Sequence, residues 1–316
     1  MSETNHMLSV VSTVALPEGI ESEIRARFRF ANLSLRALGP AQFLALLGKP
    51  DALIVAPGDR IDADFIAALP PSLRVIASYS VGLDHVDLRA AERQGVAVTN
   101  TPGVLTDATA DIAMMLILMT VRCAHRAIGE LRNGQWIGWS PDHIFGRDLA
   151  GLTLGIAGPG AIGLATATRA RAFGMEIAYW GRRKVEAFGS ISARYMPDWC
   201  EFLASIDVLS LHVPSTDATR NLVNAEAIGR MRNDAVLINT ARGDLIDDDA
   251  VLAALSDGKL AGVGLDVIRG EPNIDPRWLS APNCVLLPHI GSATIQTRTA
   301  MGWMVIAHLE RHLSRT

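Results

Sequence analysis

Two doubly wound α/β domains, each built on a parallel sheet, are what this 316-residue sequence predicts. Three observations lead there. Short apolar runs alternate with helix-like stretches twice over, once across residues 8–100 and again from Leu152 onward. A glycine-spaced loop, GIAGPGAIG, follows the first strand of the second series. The length exceeds what one hydrophobic core ordinarily organises.

In chain order, LSVVSTVAL (8–16), ALIVA (52–56), RVIASYS (74–80) and VAVTN (96–100) read as strands. EGIESEIRARF, PAQFLALLG, DADFIAAL and DLRAAERQG lie between them and read as helices. Strands alternating with helices imply a parallel sheet covered on both faces. Asp62 and Asp87 suit helix N-caps, and Gly95 suits a C-terminal stop. A long helix is expected over 107–130, between the two series, where a hinge or interface element would sit. Its apolar run IAMMLILMTV is too short to cross a bilayer and reads as buried. The second series has strands LTLGIA (152–157), MEIAYW (175–180), VLSLHV (208–213), AVLINT (235–240), LAGVGLDV (260–267) and CVLLP (284–288). The last segment, TIQTRTAMGWMVIAHLERHL, is helical by pattern and could pack on either domain.

Hydrophobic residues make up 49% and charged residues 20%, so the chain is globular rather than disordered. A net charge of -4 gives no general attraction to nucleic acid or to an anionic membrane. Any anion must therefore be caught by a local cluster. Cys123, Cys200 and Cys284 are odd in number, far apart and without metal spacing. They fit a reducing, cytoplasmic compartment. The N-terminal run has no basic region and carries Glu3, unlike a signal peptide.

In the loop, Gly158 permits a tight turn, Gly160 lets backbone approach a pyrophosphate, and Gly163 lets helix and strand pack closely. The helix that opens there offers free N–H groups and partial positive charge. Gly158, Pro159, Gly160, Ala161, Ile162 and Gly163 are thus dinucleotide-binding candidates, in the strand-to-helix context the motif requires. The next strand ends at Gly181, Arg182, Arg183 and Lys184, where NAD-binding chains usually place a carboxylate. A carboxylate would repel a 2′-phosphate by up to ~4 kcal/mol at close range. Its absence, with arginines supplied, favours NADP (NADPH) as cofactor.

Three strand ends carry polar groups where ligands bind in such sheets. AVLINTARGDLIDDDAVLAAL brings Arg242, GLDVIRGEP brings Asp266 and Glu271, and LLPHIGSAT brings His289 behind Pro288. With SYSVGLDHVDL and NTPGVLTDATADIA, these segments resemble the D-isomer-specific 2-hydroxyacid dehydrogenases over nearly the whole chain. The resemblance implies a Rossmann nucleotide domain at 101–289 and a flavodoxin-like substrate domain made of 1–100 and 290–316, with a cleft between them.

It also implies roles. His289 is the general acid and base, and Glu271 orients its ring. Arg242 binds the substrate carboxylate through its planar fork, with the backbone N–H groups of Val81 and Gly82 on the other side. Asp266 holds the nicotinamide carboxamide, and Thr106 lies near the ring. His212, Val213 and Pro214 lie beside the adenine, and Thr240 and Ala241 also line the cofactor site. Ser292 lies near substrate. The basic turn and NGQWIGWSPDHIFGRDL look most like the NADPH-dependent glyoxylate/hydroxypyruvate reductases, in which a tryptophan at the place of Trp139 reaches the partner's pocket. A two-fold homodimer is therefore expected, acting on a small 2-oxo or 2-hydroxy acid.

Ala56, Pro57 and Gly58 depart from those reductases, which carry bulkier aliphatics there. Larger 2-oxo acids such as phenylpyruvates thus stay open. So does a nucleotide-sensing corepressor, since the Arg, Glu and His set is compatible with both. Glu271 speaks against a formate dehydrogenase, which uses Gln there; phosphite oxidation is not excluded by the triad. His308 and His312 have helical metal spacing but no evident third ligand, so no metal is expected. Asp247, Asp248 and Asp249 open a helix, where negative charge suits the dipole.

Overall fold

The computed structural model describes residues 7–314, so the reading of the N-terminus at Glu3 lies outside the described residues. The chain divides into two compact units. Unit 1 comprises Met1–Leu105 and Ser292–Thr316, and unit 2 comprises Thr106–Gly291.

Unit 1 holds strands β1 (Ser9–Ser12), β2 (Arg29–Asn32), β3 (Ala52–Val55), β4 (Val75–Ser78) and β5 (Ala97–Thr99). All are parallel, in the order β2-β1-β3-β4-β5. This is the flavodoxin-like order. Alternate residues of each strand face opposite ways, and the two cores follow that alternation. Val11, Leu53, Val55 and Ile76 pack with α2 (Leu35–Leu47), α3 (Ala63–Ala67) and α4 (Leu88–Arg93) through Phe43, Phe65, Ile66 and Ala91. Val10, Ile54, Val75 and Ala77 pack on the other face against α1 (Glu18–Arg27) and α12 (Ile295–Leu313) through Ile20, Ile24, Val305 and Leu309. The last helix thus joins unit 1. Asp62 and Asp87 cap α3 and α4 through the N–H groups of Phe65 and Ala90. Gly95 takes φ 70° just after α4.

Unit 2 holds β6 (Thr153–Ala157), β7 (Glu176–Trp180), β8 (Arg194–Tyr195), β9 (Val208–Leu211), β10 (Ala235–Asn239), β11 (Leu260–Leu265) and β12 (Cys284–Leu286). The order β12-β11-β10-β9-β6-β7-β8 is that of a dinucleotide-binding sheet extended by one strand. One face carries α5 (Thr106–Val121) and α7 (Ala161–Ala172), packed through Leu116, Ile117, Ala167 and Ala170. The other carries α8 (Trp199–Ala204), α9 (Ala225–Arg230), α10 (Asp248–Ser256) and α11 (Arg277–Ser280). Phe202, Ile228, Val251 and Trp278 fill that core.

The expected single helix over 107–130 is a correction. Cys123 adopts φ 52°, and the path bends by 70° between α5 and α6 (Ala124–Arg132). α5 is largely buried, whereas α6 buries no residue. Among the described residues no single helix is long and apolar enough to cross a membrane.

Candidate active site

The carboxyl ends of β10, β11 and β12 place the three polar segments side by side. At β10, Asn239 is fully buried and clamps the turn that follows. Its Oδ1 accepts from Ala241 N–H at 3.0 Å, and its Nδ2 donates to the Arg242 carbonyl at 2.8 Å. Gly243 then lets this turn press onto another backbone segment. A Cβ built there would lie 2.3 Å from the Arg269 nitrogen and 2.4 Å from the Ile268 carbonyl carbon, which no side chain can occupy. The Arg242 guanidinium lies near enough for its charge to act on the Glu271 carboxylate.

Glu271 is held at both oxygens. Oε1 accepts from Ile268 N–H at 2.8 Å, and Oε2 meets His289 Nδ1 at 2.8 Å. Burial pushes its carboxyl up, but the His289 contact, the Ile268 N–H and Arg242 more than offset this and hold its pKa below the usual value. An ionised carboxylate only accepts, so His289 Nδ1 carries the hydrogen and Nε2 is the nitrogen left to exchange a proton.

His289 sits at φ 55°, a conformation in which histidine is among the tolerated residues. Asp266 fixes that turn. It is 1% exposed, and its two oxygens accept from Ile290 and Gly291 N–H, each at 2.7 Å. Its own carbonyl accepts from His289 N–H at 2.9 Å. Burial leaves the Asp266 carboxyl raised despite these donors.

The glycine loop lies at the switch point of the sheet, between β6 and β9. Gly158 takes φ 103°, and a Cβ there would meet the His212 carbonyl group at 2.6 Å. At Gly163 a Cβ would meet the Gly158 carbonyl oxygen at 2.5 Å. Gly160, by contrast, faces open space, and no side chain caps the N-terminus of α7. Thr240 is 9% exposed, and its Oγ1 has no partner among the described residues. An open approach to uncapped N–H groups and an orphaned hydroxyl both fit a dinucleotide.

Gly181 has a neighbour that the sequence did not reveal. A Cβ there would lie 2.6 Å from Pro159 Cδ and 2.8 Å from its Cγ. Glycine at 181 is therefore required by the proline in the loop. Arg182, Arg183 and Lys184 follow, all exposed.

The sequence profile of the D-isomer specific 2-hydroxyacid dehydrogenase NAD binding domain matches residues 114–291. A glyoxylate reductase from Thermococcus litoralis is 43% identical over 264 residues, covering 82% of this chain and 79% of that one. The chain belongs to the D-isomer specific 2-hydroxyacid dehydrogenase family. A putative member from Polaromonas superposes with a TM-score of 0.89 at 39% identity, covering 96% of both chains. An NADPH-dependent glyoxylate/hydroxypyruvate reductase from Sinorhizobium meliloti, in complex with NADP and malonate, gives 0.86 at 33% identity, covering 98% of this chain and 95% of that one.

Val81 and Gly82 lie in unit 1, in the loop after β4. Asn100 Nδ2 donates to the Val81 carbonyl at 2.7 Å and Ser80 Oγ to the Gly82 carbonyl at 2.6 Å. Ser292 is partly buried in unit 1, and Thr106 opens α5 in unit 2. Trp139 is 85% exposed in the segment after α6. Val213 and Pro214 follow His212 beyond β9. Sequence reasoning gave no role to Gly243 or to the Asn239 clamp. Glycine directly after the arginine was the one available signal for the first.

His212 supplies a pH prediction. Burial lowers its pKa to about 4, and its Nε2 lies 2.9 Å from Ser210 Oγ. The unfolded chain takes that proton near 6.5, the folded one only near 4. The unfolded state therefore binds more protons in between, and stability falls as pH drops through that window. His308, lowered first by burial, adds to the same slope. In urea titrations at pH 7 and pH 5, His212→Asn should lose less stability than wild type. Equal losses would show that His212 does not carry the effect.

Proposed function

We propose that this dehydrogenase reduces small 2-oxo acids, glyoxylate and hydroxypyruvate foremost, with NADPH. The observation that carries the reading is the His289–Glu271 pair beside Arg242. Arg242 holds the substrate carboxylate through its fork and polarises the adjacent carbonyl. A bound nicotinamide supplies the hydride to the carbonyl carbon. His289 Nε2 gives the carbonyl oxygen its proton, and takes it back in the reverse direction. Glu271 keeps Nδ1 protonated and neutralises the ring's charge when both nitrogens hold protons. The N–H groups of Val81 and Gly82 and the hydroxyl of Ser292 serve the substrate. Unit 1 is thus the substrate domain.

The dinucleotide is held by the 158–163 loop, by Thr106, Thr240 and Ala241, and by the His212–Pro214 wall. Asp266 offers its remaining lone pairs to the carboxamide while it fixes the His289 turn. Arg182 and Arg183 pair with the 2′-phosphate. NADPH oxidation that depends on added glyoxylate or hydroxypyruvate tests the reading. Tight NADPH binding without turnover of any 2-oxo acid would instead favour a nucleotide-sensing corepressor.

A homodimer in the cytoplasm completes the proposal. Trp136, Ile137, Trp139 and Phe145 expose 53%, 102%, 85% and 75% of their surface within one short segment. Such a run marks an interaction surface. Sedimentation at micromolar concentration should show two chains per particle. Trp139→Ala should reduce activity, as a residue reaching the partner's pocket must. A stable, fully active monomer would contradict both.

A further inference from the structure

The turn after β3, at the carboxyl edge of the unit 1 sheet, is built from Ala56, Pro57 and Gly58 and has almost no side-chain bulk. It is firmly held. Asp59 is 5% exposed, and its Oδ2 accepts from Ala56 N–H at 2.8 Å and from Thr13 Oγ1 at 2.5 Å. The turn and the strand end before it are stitched to the segment that carries Val81 and Gly82. Tyr79 N–H donates to the Val55 carbonyl at 2.8 Å, and Ile61 N–H to the His85 carbonyl at 2.9 Å.

Over Gly58 lies the guanidinium of Arg36. A Cβ built on Gly58, which sits at φ 94°, would be 2.9 Å from Arg36 Nη2. Arg36 belongs to the first turn of α2, which begins soon after β2 ends at Asn32. In a parallel sheet that is the same edge as the turns after β3 and β4. Arg36 makes no hydrogen bond or ion pair among the described residues. The nearby cation Arg60 is already paired with Asp62 at 2.9 Å. The recess beside Gly58 is lined by Asp59, Asp62, Asp84 and Asp87 together with Arg60 and His85. Arg36 is therefore the available counter-charge at this edge.

We propose that Arg36 binds a second anionic group at the far end of a 2-oxo acid whose 1-carboxylate rests on the Val81 and Gly82 N–H groups. The missing side chain at Gly58 is what lets the Arg36 guanidinium lie over the turn. The planar guanidinium suits a carboxylate or a phosphate through paired hydrogen bonds. This inference rests on the reading of the protein as a 2-oxo acid reductase and names its substrate class.

The test compares kcat/KM for length-matched pairs: 2-oxosuccinate against 2-oxobutyrate, and 2-oxoglutarate against 2-oxovalerate. A phosphate ester of hydroxypyruvate, set against hydroxypyruvate, separates phosphate from carboxylate. Wild type should prefer the doubly charged member of at least one pair. Arg36→Leu should lower that preference by ~10-fold or more, the range of a well-placed charge-assisted contact. Arg36→Lys should restore part of it. No preference for any doubly charged substrate, or a preference that survives Arg36→Leu, overturns the proposal and leaves the reductase reading standing provided glyoxylate is turned over. Failure with every 2-oxo acid overturns both.

Discussion

His289→Asn is expected to lower kcat for glyoxylate reduction by ~10²–10⁴-fold, the range general acid–base catalysis contributes. Asparagine is the informative replacement because residue 289 sits at φ 55°. Asparagine tolerates that conformation, whereas a β-carbon of alanine alone gives no such compensation. The turn should therefore survive, with Asp266 still accepting from Ile290 and Gly291. What is lost is the proton at Nε2, since an amide does not exchange one at neutral pH. Glu271→Gln should act through His289. It leaves a hydrogen-bonding oxygen but no charge, so its signature is a displaced pH–rate profile rather than abolished turnover. Arg242→Lys should raise KM and lower kcat together, because a point charge cannot reproduce the planar fork. Near-full activity in His289→Asn would remove the histidine from its assigned role.

The second large effect concerns the cofactor. Wild type should prefer NADPH over NADH by at least ~10-fold in kcat/KM, from one or two charge-assisted contacts at Arg182 and Arg183. The obvious conversion places an acid at Gly181 and removes Arg182. The structure predicts that this fails alone, because a Cβ added at Gly181 would lie 2.6 Å from Pro159 Cδ. A proline ring is tied to the backbone and cannot swing aside. Gly181→Asp should therefore weaken binding of both cofactors. Adding Pro159→Ala should restore binding and turn the preference towards NADH. The two substitutions share one contact, so their effects should be strongly non-additive. Equal kcat/KM for the two cofactors in wild type would show that the basic turn is only solvated surface.

Much of the fold is written in local pattern. The two strand series, the caps at Asp62 and Asp87 and the glycine loop each carry a signal within a few residues. β2 escapes such a reading because it is an edge strand in which only Phe30 is buried, so its sequence barely alternates. The start of α2 is hidden by the kink at Gly39 before Pro40. The break at Cys123, where φ is 52°, has no glycine or proline to announce it, although α5 is largely buried and α6 buries no residue. The site divides in the same way. Arg242, Glu271 and His289 stand out as polar residues beyond apolar strands. Gly243 against Ile268 and Arg269, and Gly181 against Pro159, depend on segments distant in sequence meeting in space. Period and composition carry no trace of such meetings.

The most direct measurement follows one atom. Hydroxypyruvate is incubated with the protein and NADPH carrying deuterium at the transferable position, and the product is examined by mass spectrometry and NMR. The expected product is glycerate with one deuterium at C2, formed by wild type and slowed by orders of magnitude in His289→Asn. Glycerate without deuterium at C2, or no glycerate at all while glyoxylate and other 2-oxo acids also go unreduced, would contradict the reductase reading.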